Sequence, residues 1–358
     1  MRKLASIQLV GALEPIAGAD NILCASVQGW RCVVKKSDAL KVGDMVVFFE
    51  IDSICPMVEP FLFLKGERIR TKKLRGCISQ GLALALSYFP ILKGKKLSVG
   101  EDLTERLKIT KYEPPQPKEM TKNKQGKIRK FFMRFYWFRT LDHKLFNRPK
   151  GGWPQFIPKT DEERVQNIPE VLQRQENFYA SEKVDGSSSS YFYTRKASVF
   201  GKIGTFGVCS RNIYLKTKDN SIWWKIAKSE DIERKLKRHR SSICIHGEIV
   251  GPGVQGNKYK LQSLQLFVFG VWDIDKQEYY DFWAMRAVCD TLGFRMVPVI
   301  SDYRHLPNTI DEIVKESVGV SVLNPNVKRE GLVFRTMSND NRVSFKVVNP
   351  NFLLEYDE

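Results

Sequence analysis

Over roughly the first hundred residues the apolar positions fall in short runs, each closed by a turn signal. Residues 25–27, 30–34, 45–51, 69–74 and 81–86 read as strands, and Gly18-Ala19-Asp20, Lys41-Val42-Gly43-Asp44 and Arg75-Gly76 punctuate them. The Lys41 to Asp44 turn feeds a continuous apolar run, Met45 to Phe49, that suits a central strand. Many short strands with few helical patterns predict a small closed barrel of the OB or SH3 type. The period then changes. Ile128, Phe131, Phe132, Phe135, Phe138, Leu141 and Leu145 recur at helical spacing between Arg129, Lys130, Arg134 and Arg139, which predicts a basic amphipathic helix over 127–145. Such a helix can pack between domains, contact nucleic acid or lie on a membrane surface. The proline- and lysine-rich stretch 111–126 before it reads as a boundary. The expected division is therefore 1–110, a linker with the basic helix over 111–150, and a second domain over 151–358.

In that second part, Thr160 and Glu163 have capping-box spacing and predict a short helix that carries Arg164. Strand patterns cover 178–184, 190–193, 243–250, 264–274, 329–335 and 343–349, and helical patterns cover 222–226, 282–292 and 310–318. The run from Arg234 to Arg240 reads as a solvated helix end. Strands and helices in this mixture predict an α+β protein.

Composition narrows the partners. The 358 residues carry 58 Lys+Arg against 40 Asp+Glu, a formal charge of +18, which points to a polyanionic partner. Cations at Arg31, Lys35, Lys36, Arg68, Arg70, Lys72, Lys73 and Arg75, with Trp30 and the phenylalanines near Phe61, suit either a barrel face that tracks a phosphate backbone or a solvated basic surface. No apolar run is long enough to cross a bilayer, so a membrane protein is not expected. The seven cysteines are odd in number and form no Cys-x-x-Cys pair, which predicts reduced thiols in the cytoplasm and no zinc site.

Candidate chemistry centres on Glu182-Lys183-Val184-Asp185-Gly186, where a strand stops at a Gly/Ser-rich turn. A lysine there is a nucleophile only when neutral, and from a reference pKa near 10.4 that costs about 4 kcal/mol at neutral pH. Burial and nearby cations must lower it. Cys244 to Val250 delivers a single carboxylate, Glu248, from an otherwise apolar strand, and the last two strands present Glu330 and Lys346.

The ordered set Lys183-x-Asp185-Gly186, Ser210-Arg211-Asn212, Gly247-Glu248, the aromatic strand through Phe267 and Phe269, Glu330-Gly331-Leu332-Val333-Phe334 and Ser344-Phe345-Lys346 resembles the motifs of covalent nucleotidyltransferases. More closely, the chain resembles the ATP-dependent RNA ligases that carry an OB domain at the amino terminus. Gly18-Ala19-Asp20, Val42-Gly43-Asp44, Phe49 to Ser53, Lys73 to Gly76 and residues 159–167 extend the likeness over nearly the whole chain. The resemblance implies an OB-type barrel followed by a ligase-type nucleotidyltransferase domain of antiparallel sheets with flanking helices. It also implies ATP, with Mg²⁺ or Mn²⁺, and a lysine-AMP at Lys183. Lys346 and Arg164 would contact the α-phosphate. Asp185, Glu248 and Glu330 would gather at the metal, Glu248 alternatively accepting a ribose hydroxyl. Arg211 would grip sugar or phosphate, Phe269 would stack on adenine, and the Glu182 backbone with Gly186 would complete the nucleotide site. Phe267 shares the side of Phe269 on a regular strand, which leaves the stacking residue open.

Where relatives often have Lys-x-Lys in the last motif this chain has Ser344, for which Arg342 or Arg164 would compensate. The implied partner is a nicked duplex with an RNA 3′-hydroxyl end, sealed in RNA repair by a monomer. A DNA ligase, a capping guanylyltransferase and a non-catalytic nucleic-acid binder are the competing functions. Guanylyltransferases place the OB domain after the catalytic one, and a mere binder needs no such set of lysines and carboxylates. Because these motifs all lie beyond residue 150, the amino-terminal part is expected to bind rather than catalyse.

Overall fold

The computed structural model describes residues 3–112, 152–198, 201–216 and 220–356. The basic helix predicted over 127–145 lies outside them. In the amino-terminal part an antiparallel sheet runs in the order Trp30–Lys35, Ile22–Val27, Ala5–Pro15, Met45–Phe49, Leu82–Ala85. It curls until its two ends meet, Gln80 N donating to Arg31 O at 2.6 Å. The apolar run of Met45–Phe49 is explained by burial on both faces. Val47 and Phe49 join Ile7, Phe61 and Phe89 in one cluster, while Val46 and Phe48 join Val10 and Trp30 in another. Two aromatics expected to meet nucleic acid are thereby removed from it: Trp30 is fully buried and Phe61 nearly so, each spent on core packing. The cations of 72–75 stay exposed.

The carboxyl-terminal part consists of two sheets that face each other across a cleft. One runs Glu163–Arg164, Ser344–Val348, Gly331–Thr336, Phe178–Lys183, Val299–Arg304. Its outer residues Phe178, Ala180, Leu332, Phe334, Phe345 and Val347 pack under Ile313 of the helix Ile310–Ser317. Strand alternation then turns Ser181, Lys183, Val333, Arg335 and Lys346 toward the cleft. The other sheet runs Gly201–Ser210, Ser187–Ser198, Ile243–Val250, Gln265–Asp273, Glu278–Tyr279, with Arg295–Met296 added in parallel. The helices Ile222–Ser229, Ile232–Arg238 and Phe282–Leu292 cover its back, burying Ile226, Leu236 and Met285 on Ile243, Ile245 and Ile249. The opposite parity of Ile243–Val250 sends His246 and Glu248 to the inner side. This is an α+β architecture with a barrel first, as expected.

No helix starts at Thr160. Residues 163 and 164 instead form a short strand parallel to Ser344–Val348, in register Arg164 with Lys346, followed by 3-10 turns over Val165–Asn167 and Pro169–Gln173. Pro169 leaves no room for a helix to continue, and the sheet edge offers backbone partners that a lone capping box cannot match. The capping box that does form is at Thr309 and Glu312, opening Ile310–Ser317.

The two parts touch. Gly29 adopts φ +73° and packs so closely on Ile310 that a Cβ there would lie 2.7 Å from its side chain. Leu353, on the last helix, Pro350–Tyr356, packs against the barrel core.

Candidate active site

A cavity of about 300 Å³ opens between the two sheets. Glu182, Lys183, Gly186, Arg211, Glu248, Phe269 and Lys346 all line it, so seven of the ten sequence-derived candidates share one pocket. Asp185, Glu330 and Arg164 are not among its lining residues. Lys183 ends its strand in register with Gly331, which places Glu330 beside it, and Lys183 Nζ donates to Glu330 Oε1 at 2.5 Å. Lys346 lies two strands over, in register with both Val333 and Arg164. Two phosphate-binding candidates distant in sequence thus become neighbours through one parallel pairing.

Backbone crowding explains Gly186. A Cβ there would lie 2.3 Å from Ile249 O and 2.9 Å from Glu248 Cγ, so only glycine lets the turn after Lys183 lie against the strand that carries Glu248. The choice between Phe267 and Phe269 is decided by burial, next to a β-bulge. Register passes from His246–Gly270 to Gly247–Val268, leaving Phe269 as the extra residue, and it is Phe269 that lines the cavity. Phe267 is buried with Val184, Val250, Tyr259 and Val297. Both rings face the cleft, as read from the sequence, Phe269 packing against the cluster that buries Phe267. Phe269 is backed by His246 at 6.5 Å and 18°, and the Arg335 guanidinium sits 5.5 Å from its centroid.

The electrostatics differ from the expectation that cations depress the lysine. Burial pulls the Lys183 ammonium down, but Glu330, with Glu248 and Asp185 behind it, more than reverses this, and the net shift is upward. The nearest charges are carboxylates, not cations. Burial also pushes Glu248 up to about 8, with Glu330 and Asp185 adding to the shift against the pull of Lys183. Glu330 is raised by burial and by Asp185 despite Lys183 and Lys346.

Comparison with known proteins fixes the class. The RNA ligase family model matches residues 176–348, and an OB-fold domain model matches residues 4–86. A solved Naegleria gruberi RNA ligase with pyrophosphate is 34% identical, the match covering 100% of this chain and 99% of that one with a TM-score of 0.80. A lysine-to-methionine variant of that enzyme with AMP and Mn superposes with a TM-score of 0.79, and a lysine-to-alanine variant with ATP and Mn with 0.80. Each of these two is 33% identical, and each match covers 98% of both chains. The chain belongs to the RNA ligase family. A search of curated proteins finds no match.

Several residues of this ligase's site carried no readable signal. Arg335, buried at 3%, donates to Ser181 Oγ at 3.3 Å and Glu162 Oε1 at 3.1 Å, bracing the 160–164 segment against the Lys183 strand. Asp161 pairs with Arg211 at 2.6 Å across the mouth. Lys258 pairs with Asp185 at 2.5 Å. Ser344 Oγ is buried without a partner, and Arg342 stacks on Tyr279 at 3.8 Å outside the pocket. Of the two cations expected to offset the missing lysine, only Arg164 is beside Lys346.

Arg164 also rests on the barrel. Its guanidinium lies over the buried Trp30 ring at 5.4 Å, so the amino-terminal part supplies a wall for a phosphate-binding candidate. That contact runs against a purely substrate-binding role for the barrel. Trp30→Leu is expected to slow enzyme adenylation about fivefold, the value of roughly 1 kcal/mol of cation–π support, while Trp30→Phe stays near wild type. Single-turnover labelling of both variants, alongside circular dichroism, checks this. Equal rates in all three proteins would show that the barrel does not shape the site.

Proposed function

We propose that this RNA ligase uses ATP to seal 3′-hydroxyl/5′-phosphate nicks in duplex nucleic acid whose 3′ strand is RNA, through a lysine-AMP at Lys183. The observation that carries this reading is the placement of Lys183 Nζ, paired with a buried carboxylate, in a pocket that also holds Lys346, Arg211 and an aromatic platform. Neutral Lys183 attacks the α-phosphorus. Its nitrogen forms the P–N bond, the bond to pyrophosphate breaks, and the nitrogen loses its proton. Lys346 and Arg164 neutralise charge gathering on the phosphate oxygens, and Phe269 holds the base. AMP is then passed to a 5′-phosphate, and the 3′-hydroxyl displaces it.

The donor set fits a hard divalent cation. Asp185, Glu248 and Glu330 offer only carboxylate oxygens, and Glu330 Oε2 is buried without a hydrogen-bond partner. Among the described residues no three His, Cys, Asp or Glu side chains are arranged to take a metal directly, so these carboxylates would hold Mg²⁺ or Mn²⁺ through its waters. The bound cation supplies charge neutralisation on the phosphates. The proposed working state is a monomer. Among the described residues no helix is long and apolar enough to cross a membrane. The seven free cysteines suit a reducing compartment, and the proposed setting is RNA repair in the cytoplasm.

Sealing should fall steeply with salt, because the exposed barrel cations act through phosphates, whereas adenylation falls less. The deciding comparison uses nicked duplexes that differ only in the 3′-terminal sugar. Ribose ends are expected to seal faster, since a 2′-hydroxyl is a donor and acceptor that a polar site can require. Equal sealing of ribose and deoxyribose ends would leave an RNA ligase by family but remove the RNA-strand preference proposed for it.

A further inference from the structure

The loop that follows Ile243–Val250 closes over the turn after Lys183 at three points. Gln255 Nε2 donates to Gly186 O at 3.3 Å, Tyr259 Oη accepts from Asp185 N at 2.7 Å, and Lys258 Nζ donates to Asp185 Oδ2 at 2.5 Å. Its backbone is wound tightly to do so, with φ of +45°, +49° and +54° at Gln255, Asn257 and Lys260. The Asn257 side chain locks the winding by bonding both the N and the O of Leu261. Lys258 is 19% exposed and Asp185 16%, so the pair is largely shielded from water. On its other side Lys258 Nζ lies 5.6 Å from the Phe352 centroid and 5.3 Å from that of Tyr356, two rings of the last helix. That helix follows directly on the strand of Lys346, and its Leu353 packs into the barrel core.

We infer that Lys258 is a positioning residue for nucleotidyl transfer, holding the Asp185 carboxylate in place while the rings of Phe352 and Tyr356 hold Lys258. The inference rests on the proposed role of Asp185 and adds how it is kept in position. A largely buried carboxylate with a single cationic partner keeps its orientation only while that partner is itself fixed. Two aromatic faces fix an ammonium without competing for its protons. The arrangement also connects the barrel to the chemistry, because the helix that carries both rings is seated on the barrel core. Lys258 does not line the nucleotide pocket, so its loss should act on the rate and not on ATP binding.

Lys258→Met is therefore expected to lower the single-turnover rate of lysine-AMP formation about 10- to 100-fold, as for other residues that orient a metal-site carboxylate. The KM for ATP should hold within about threefold, because uniform nucleotide binding is untouched. Lys258→Arg, which keeps the charge and stacks on the same rings, should restore most of the rate. A second readout separates positioning from competition. Mn²⁺ binding to the protein alone, followed by electron paramagnetic resonance, should be unchanged or tighter in Lys258→Met, since a cation has been removed from Asp185. A slower reaction despite that affinity supports the inference. Tighter Mn²⁺ binding with an unchanged or faster reaction would mean that Lys258 only competes with the metal, and would overturn it. If Lys258→Met does not fold, the Phe352→Leu/Tyr356→Leu double variant keeps the lysine and loosens its seat. It should slow adenylation several-fold at constant KM, and a normal rate there would equally refute the coupling. Absence of any labelled adduct in the wild-type protein would instead count against the proposed lysine-AMP chemistry.

Discussion

Lys183→Ala is expected to abolish the covalent nucleotide adduct, with label from ATP falling by roughly 10⁴-fold or more, because the nitrogen that would form the bond is gone. Lys183→Arg should fail as completely, since a guanidinium keeps its proton at any working pH. Neither loss should come from unfolding. Lys183 ends a strand that is paired on both sides, its side chain is 25% exposed, and the packing under that strand comes from Phe178 and Ala180. Removing the ammonium does leave Glu330 in a buried place, but burial already raises that carboxyl, and it can take up a proton instead of remaining as an unpaired charge. Thermal melting within a few degrees of wild type, together with no adduct on denaturing electrophoresis, is the anticipated pair of results. Undiminished adduct in either variant would require a different nucleophile. A separate test with adenylated nicks should show sealing largely retained, because the lysine has no bond to make in the last step.

How much of this was legible beforehand depends on whether the signal was local. The Met45–Phe49 strand, the Lys183 turn and the isolated Glu248 are legible because a continuous apolar run, a turn signal and a single misfit residue are properties of neighbours in sequence. The order of motifs extended that reading to Arg164, Arg211, Phe269, Glu330 and Lys346, but not to geometry. The spacing of Thr160 and Glu163 predicts a helix that carries Arg164, whereas a parallel edge pairing with residues 182 positions away prevails. Phe269 is not separable from Phe267 in sequence because both face the cleft, and only the packed fold buries one and leaves the other at the cavity. Trp30 and Phe61 looked like surface aromatics in a basic stretch, yet the core of a small barrel required them. Arg335 and Lys258 had no signal at all. Each is an ordinary cation in sequence, and only the fold gives it a partly buried carboxylate and an aromatic face.

Glu330→Gln should reduce adenylation by at least about 10²-fold at the wild-type pH optimum, because it removes one of three carboxylates proposed to hold the metal and aim Lys183. Its pH profile carries the more discriminating sign. In the wild-type protein Glu330 is the main reason the Lys183 ammonium lies above its ordinary value, so the reactive neutral lysine is scarce at neutral pH and its share grows as pH rises. Glu248, raised to about 8, becomes a charged ligand over the same range, so kcat/KM should climb through pH 8 and beyond. Loss of the Glu330 charge lets burial dominate at Lys183, and the lysine limb of the kcat/KM profile should move to lower pH even as its height falls. It also removes one carboxylate that raises Glu248, which shifts that limb in the same direction. A purely structural defect would lower the curve without moving it, and a role for Glu330 only as a hydrogen-bond acceptor would leave the Gln variant near wild type. Adenylation rates of Glu330→Gln from pH 6 to 10, measured at subsaturating ATP and fixed Mn²⁺, distinguish the three. A lowered curve displaced to acid supports the Lys183–Glu330 pair as the element that sets when the nucleophile is available.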